Sequence, residues 1–318
     1  LPHSPAARWA ATLDQPAVVR PAPHPAPRPP THMRPREITV TEVPELLADP
    51  YAFYAKRVLR LRALDPLDAD VGALDYGTIV HGALARFIAE ATAVPGGWPD
   101  EDAAQAMWDA AAEAALGKQG PRPALAAFWR PRLARIGAFV IGEEGRRRAE
   151  GGIVRSHVER DGVFVLKRPR GDVTLKARAD RIDVLGDGSL HILDYKTGGV
   201  PRPDALLDGT APQLPLEAAM ALEEAFEKVQ RAPVRALTYW RLTGGQEAGE
   251  VKPMLSEAEE VERVAAESMD RLGRLVDRFL LGDAAFPARP HPGRVPKGGD
   301  YDHLARVAEW AHAEDEVE

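Results

Sequence analysis

The chain has 318 residues, 45% of them apolar, and a formal net charge of −7, which is enough for one large domain or two small ones. Cysteine is absent, so disulfides, thiolate metal sites and a cysteine-held iron–sulfur cluster are excluded, and any metal must take Asp, Glu, His or backbone oxygen as ligands. No apolar run approaches the roughly 18 residues of a transmembrane helix, no signal-peptide pattern opens the chain, and the acidic balance argues at first against a nucleic-acid partner.

Residues 1–36 read as a proline-rich linker. Pro21-Ala-Pro23-His-Pro25-Ala-Pro27-Arg-Pro29-Pro30 cannot hold a helix or an inner strand and should be extended. A first residue Leu1 rather than Met suggests a piece of a longer protein. Order is expected from about Ile38, in a folded unit spanning 37–312. Thr41 is placed to cap a short helix through Leu47, which Asp49-Pro50 breaks. A second helix is expected over Tyr51–Leu61, a loop over Leu64–Asp70, and a strong helix from Asp75 to about Ala93, with Ile79, Leu84, Phe87 and Ile88 on its apolar stripe. Ala-rich helices follow at about 100–117 and 123–149.

The period then changes. Ile153–Glu159, Val163–Leu166, Val173–Val184 and Leu190–Tyr195 read as strands. A helix is expected over Pro212–Val229, a strand over Val234–Leu242, and a long amphipathic helix over Ser256–Leu281, opened by a capping box of Ser256 and Glu259. A last helix is placed at Asp302–His312, before an acidic tail at 313–318. No internal repeat is visible. Helices, then strands, then helices predict one α/β core with a helical N-terminal layer.

The chemistry concentrates in the hairpin Lys176–Gly198. Gly186-Asp187-Gly188 supplies the turn. With a three-residue loop, Asp180 and Asp194 fall opposite each other, and Lys196 shares a strand face with Asp194. Two carboxylates and an ammonium then converge, an arrangement that suits a hard divalent cation. An isolated pattern of this kind is more often a solvated surface hairpin, so its neighbours decide. His81 lies in Gly77-Thr-Ile-Val-His81-Gly82, one helical turn from Gly77. Glu159 closes the strand before Asp180. Gln213 and Glu217 stand one turn apart on the helix after Lys196. Asp183 falls on the opposite strand face from Asp180 and is expected to make a structural ion pair with Arg181. Basic runs occur at Lys56-Arg57, Arg146-Arg147-Arg148 and Lys167-Arg168-Pro-Arg170, and acidic ones near Glu257–Glu262 and in the tail.

Taken in order, Gly77-x-x-x-His81, Glu159, Ala179-Asp180-Arg-Ile-Asp183, Ile192-Leu-Asp194-Tyr195-Lys196-Thr-Gly198 and Gln213-Leu-Pro-Leu resemble the RecB-type branch of the PD-(D/E)xK nucleases. Thr41–Tyr54 and Tyr301–Trp310 are similar to segments of the C-terminal nuclease domains of AddB subunits, in the branch without an iron–sulfur cluster. Asp49 stands where some relatives carry a cluster cysteine, so the two ends must be joined by packing, with Tyr54, Tyr301 and Trp310 as candidates.

The resemblance implies a restriction-endonuclease-like fold, a central mixed β-sheet flanked by helices. It implies Asp180 and Asp194 as Mg²⁺ ligands (Mn²⁺ as a possible substitute), completed or supported by Glu159 and His81. Lys196 would orient the attacking water, and Gln213 would position the strand. Arg178 and Arg181 near the site, with Lys167, Arg168 and Arg170, are the expected DNA contacts. The implied activity is exonuclease action on single-stranded DNA at double-strand ends, beside an AddA-like helicase–nuclease subunit, in the cytoplasm of a bacterium with the nucleoid and without a membrane. The alternatives are a non-catalytic DNA- or partner-binding module with a degenerate nuclease fold, and a stand-alone RecB-like single-strand exonuclease.

Overall fold

A computed structural model describes residues 6, 9, 10, 12, 23–62, 73–95, 97–119, 123–150, 152–290 and 299–314. The loop expected at 64–70 and residues 315–318 of the acidic tail lie outside the described residues.

A short strand, β1 (Glu37–Thr39), precedes helices α1 (Val43–Ala48) and α2 (Pro50–Phe53), the latter running on as a π-helical turn over Tyr54–Val58. Three longer helices follow: α3 (Ala73–Thr92), α4 (Glu101–Gln119) and α5 (Pro123–Ala149). Next come β2 (Ile153–Leu166), β3 (Val173–Leu185), β4 (Leu190–Lys196), α6 (Pro203–Leu207) and α7 (Gln213–Leu222). The chain continues through β5 (Val234–Leu242), β6 (Gly249–Leu255), α8 (Ala258–Leu275) with a terminal π-turn, and α9 (Val307–Glu314).

The six strands form one mixed sheet in the order β1-β3-β4-β5-β6, with β2 on the other edge of β3. β2 pairs antiparallel along nearly all of β3. The opposite edge of β3 is shared end to end: β1 runs parallel to it at Thr174–Lys176, and β4 runs antiparallel at Arg181–Val184. A gap at 177–180 separates the two partners. β4 and β5 are parallel, joined through α6 and α7, and β5 turns back antiparallel into β6.

Two cores sandwich the sheet. On one face α7 and α8 pack with α1 and α2, through Leu46, Phe53, Leu216, Met220, Val264 and Leu272 against Leu175, Ile182, Ile192 and Leu237. On the other, α3, α4 and α5 bring Ile79, Leu84, Phe87, Trp108 and Ile136 against Leu193, Tyr195 and Trp240. This is the expected mixed sheet flanked by helices.

Several local expectations are corrected. The two strands expected at 153–159 and 163–166 are one, because β3 supplies a single partner long enough for both. Gly162 is not a turn residue: it lets the Phe226 ring lie against the strand, where an added Cβ would sit 2.6 Å from the ring. The helix expected to reach Val229 stops at Leu222, since Glu224 and Lys228 take left-handed backbone (φ 54 and 62) and the chain folds back to bridge Phe226 to Gly162. Thr41 caps nothing: α1 starts after Glu42, whose carboxylate instead accepts the Thr39 amide at 3.0 Å. Asp49 does separate the two short helices and caps the second, accepting Ala52 N at 3.3 Å. The Ser256 capping box is absent, because α8 begins one residue later with Glu257 at its N-cap and no side-chain cap. α9 starts at Val307, after Arg306 at φ 55. β1, β6 and α6 had no sequence expectation.

Within the proline-rich segment, residues 23–30 carry neither helix nor strand, Thr31–Met33 form a 3-10 turn, and the segment is docked on the domain. Pro27 and Pro25 carbonyls accept the amides of Phe286 and Ala288 at 2.9 and 3.0 Å. Buried Arg34 donates to the Pro29 and Phe279 carbonyls.

Candidate active site

The site forms where β2 and β3 stop alternating regularly, beside the end of β4. In β3, Leu175, Ala177 and Ala179 face the α7/α8 core, and so does Ile182. In β2, Val158 packs on the α3–α5 side, whereas Phe164 and Leu166 pack on the other. Strict alternation would keep even-numbered positions on one face. One residue in each strand therefore stands outside the pleat. The flanking pairs Val158↔Arg181 and Arg160↔Ala179 identify them as Glu159 and Asp180, and Glu159 sits at φ 50. Because both strands carry the irregularity, the register is unchanged on either side.

The β3–β4 register does place Asp180 opposite Asp194, and Gly186-Asp187-Gly188 is the three-residue loop, with Leu185 N bonded to Ser189 O at 2.8 Å. The strands part at this point. Tyr195 N donates to Asp180 Oδ2 at 2.8 Å, so a side chain replaces the ladder acceptor. Asp180 Oδ1 lies 3.1 Å from His81 Nδ1 on α3. His81, Glu159 and Asp180 each present one ligand atom, all within 4.8 Å of one another. They line a cleft of about 590 Å³ together with Gly77, Thr78, Lys118 and Arg178.

Asp194 lies deeper and adds no atom to that cluster. Its Oδ1 accepts Gln213 Nε2 at 2.5 Å, and its Oδ2 is 2.7 Å from Lys196 Nζ, an ion pair not aligned as a hydrogen bond. Lys196 Nζ also donates to Gln213 Oε1 at 3.1 Å and lies 5.6 Å over the Tyr239 ring. Gln213 Nε2 reaches Glu217 Oε1 at 3.2 Å, so the helical spacing acts as expected. One glutamine thus fixes the acid and the lysine of the β4 motif against α7.

Burial, with the charge of Asp180 beside it, pushes the Asp194 carboxyl up to about 6. Burial likewise holds Glu217 well above the usual carboxylate range, aided by Asp194 and Asp180. Burial works against the protonated His81 ring, but the hydrogen bond and charge of Asp180 outweigh it and raise its pKa. Asp194 Oδ2 and Glu217 Oε2 are buried and accept no hydrogen bond among the described residues. Such an oxygen-rich, charge-deficient set fits a hard divalent cation.

The expected DNA contacts divide. Arg178 is exposed beside the cleft, 2.5 Å from Glu159. Arg181 is corrected: it is fully buried and cannot touch a strand. It bonds Asp183 at 2.7 Å and Glu144 at 2.6 and 3.0 Å, and Arg147 closes the network onto Asp183 at 2.9 Å. The structural pair with Asp183 is therefore the role it has. Lys167 and Arg170 are exposed at the β2–β3 turn, eight residues or more, roughly 26 Å, along the strand from Glu159, and Arg168 there pairs with Asp277. Lys118, Thr78 and Tyr239 were not singled out from the sequence. Each comes from an element remote from the hairpin, and no local pattern marks it.

Uncharacterized proteins of Rickettsia conorii and Rickettsia felis are 28% and 27% identical over 195 and 197 residues, 61% and 62% of this chain. The chain spans only 23% and 22% of their lengths. The crystal structure of SSO0001 aligns with 74% of this chain and 76% of its own at 12% identity, with a TM-score of 0.28. Among the described residues no helix is long and apolar enough to cross a membrane. The model of the PD-(D/E)XK nuclease superfamily, whose members are usually nucleases and generally use a divalent metal, matches residues 37–294, and the chain belongs to that superfamily.

Proposed function

We propose that this chain hydrolyses phosphodiester bonds of single-stranded DNA with Mg²⁺, Mn²⁺ serving as a substitute. It acts as the nuclease module of an AddAB-like helicase–nuclease that processes double-strand ends for recombinational repair in the bacterial cytoplasm, beside an AddA-like subunit. The carrying observation is the convergence of Glu159, Asp180 and His81 next to the Asp194–Lys196–Gln213 triad. The AddB-like motifs at both ends support the larger assignment.

Asp180, Glu159 and His81, with Asp194 behind them, would hold the cation. When bound, a divalent metal polarises a phosphodiester oxygen and lowers the pKa of a water. Lys196 is pre-oriented by Asp194 and Gln213, so its ammonium orients the attacking water and stabilises charge developing at phosphorus without reorganising. Tyr195 N and His81 Nδ1 fix the two oxygens of Asp180. The reaction is direct attack by water on phosphorus, without a covalent enzyme intermediate.

The test is degradation of end-labelled single-stranded DNA with Mg²⁺ by the parent, Lys196→Ala and Asp194→Ala. Each variant should lose about 10²–10⁴-fold in rate while remaining folded. Absence of cleavage by the parent, both alone and with a motor subunit, would sink the reading in favour of a binding module.

A further inference from the structure

The basic runs that stand out in the sequence are largely neutralised in the fold. Arg146 pairs with Glu143 and Glu150, Arg147 and Arg148 with Glu144, Arg168 with Asp277, Lys56 with Glu45, and Arg57 with Glu37 and Glu42. Unpaired cations gather elsewhere. A cavity of about 520 Å³ opens between β2, the β3–β4 turn and the loop that leads from α7 to β5. Arg155, Lys228 and Arg231 line it, and none of their side chains has an ion pair or hydrogen bond among the described residues. No acidic residue lines it.

A second, independent feature points the same way. His157, only 6% exposed, lines the same cavity, and its ring nitrogens have no hydrogen-bond partner among the described residues. Its neighbours along β2 explain the placement. Arg155 and His157 lie on the α7 face, opposite Ser156 and Val158, which serve the α5 side. Lys228, in left-handed backbone at φ 62, lines the same space.

Three like charges brought together without counter-ions repel one another, and an anion relieves that repulsion. We propose that Arg155, His157, Lys228, Gln230 and Arg231 form a second phosphate site that takes a nucleotide phosphate, apart from the catalytic carboxylates. Arg forks and a lysine point charge suit phosphate oxygens. The cavity is larger than phosphate alone requires. Gln230 and His157 offer the donor and acceptor groups that a sugar or base edge uses, and Val184 and Leu190 give apolar wall. The choice of a nucleotide as carrier of the phosphate rests on the nuclease reading; the anion chemistry does not.

The experiment measures binding in EDTA, where cleavage chemistry is silent, so its failure is separable from failure of the nuclease reading. A labelled 20-nucleotide oligo-dT and the mononucleotide dTMP are titrated against the full chain. The comparison is with Lys228→Glu/Arg231→Glu, and with the milder Lys228→Gln/Arg231→Gln should charge reversal unfold the loop. If a strand occupies the site, the double variants bind oligo-dT about tenfold or more weakly than the parent, with a salt slope shallower by roughly 1.4. If oligo-dT binding is unchanged but dTMP binds the parent and not the variants, a free nucleotide occupies the site. If neither ligand responds to the substitutions, the proposal is overturned.

Discussion

Asp194 and Lys196 are two residues apart on one strand, and their environments separate their roles. Asp194 is buried, next to Asp180, and its carboxyl is pushed up to about 6. Its pKa is thus higher folded than unfolded. Folding then favours the protonated acid, and this contribution is lost as pH rises from about 4 through 6. At pH 8 without metal, the ionised form burdens the fold. Asp194→Asn should therefore melt a few degrees above the parent at pH 8 in EDTA, with the gap closing toward pH 5. Excess Mg²⁺ should stabilise the parent more than the variant. Equal melting at pH 8 in EDTA would show that Asp194 is not a strained acid. Arg181 carries the opposite lesson. Its position one residue from Asp180 suggests the site, but its side chain lies on the other face, wholly inside an ionic network with Glu144 and Asp183.

At the scale of elements, the site depends on a defect shared by two strands. Glu159 at φ 50 and Asp180 opposite it leave the pleat together, and the edge of β3 between β1 and β4 has no strand to pair it. A non-glycine residue in left-handed backbone is disfavoured by roughly 1 kcal/mol or more. Its ion pair with Arg178 is largely exposed and offsets little of that. Two substitutions separate conformation from ligation. Glu159→Gly should be more stable than Glu159→Ala by about 1 kcal/mol in urea unfolding. Both should bind the metal more weakly than the parent. Equal stability of the two would mean that the backbone at 159 is not strained in solution.

At the scale of the whole molecule, the segments around 24–61 and 286–310 close on each other without a cluster or disulfide. Trp310 packs with Tyr51, Ala288 and Ala305, stacks edge-on against His24 at 4.3 Å, and donates to the Ala305 carbonyl at 2.8 Å. Tyr301 OH reaches the Leu61 carbonyl at 2.9 Å, Arg289 binds Asp302 at 2.6 Å, and Tyr54 packs against the same group. Asp49, where a cluster cysteine would stand by the resemblance, caps α2 and also accepts Arg289 N at 3.2 Å. Trp310→Ala should remove about 3–5 kcal/mol of local packing. Hydrogen exchange should then quicken at 23–30 and 299–310, with the β3–β4 amides unchanged. Uniform loss of protection would mean that the clasp and the sheet unfold as one unit.

The sequence by itself determined the α/β class, the hairpin with its loop, and the facing of Asp180 with Asp194 and of Asp194 with Lys196. Those follow from strand alternation and turn length, which are local. It also determined the Gln213–Glu217 pairing, which is one helical turn. Only the tertiary structure decided which acids share a cation cluster, since His81, Glu159 and Asp180 come from three elements and Asp194 sits behind them. It decided the continuity of β2, because a strand is as long as its partner allows, and it shortened the helix after Gln213, where Phe226 had to reach Gly162. It also decided which positive charges remain available to a ligand. Runs of arginine in the sequence are cancelled by acids one helical turn or a whole element away, whereas Arg155, Lys228 and Arg231 come together only when the chain folds.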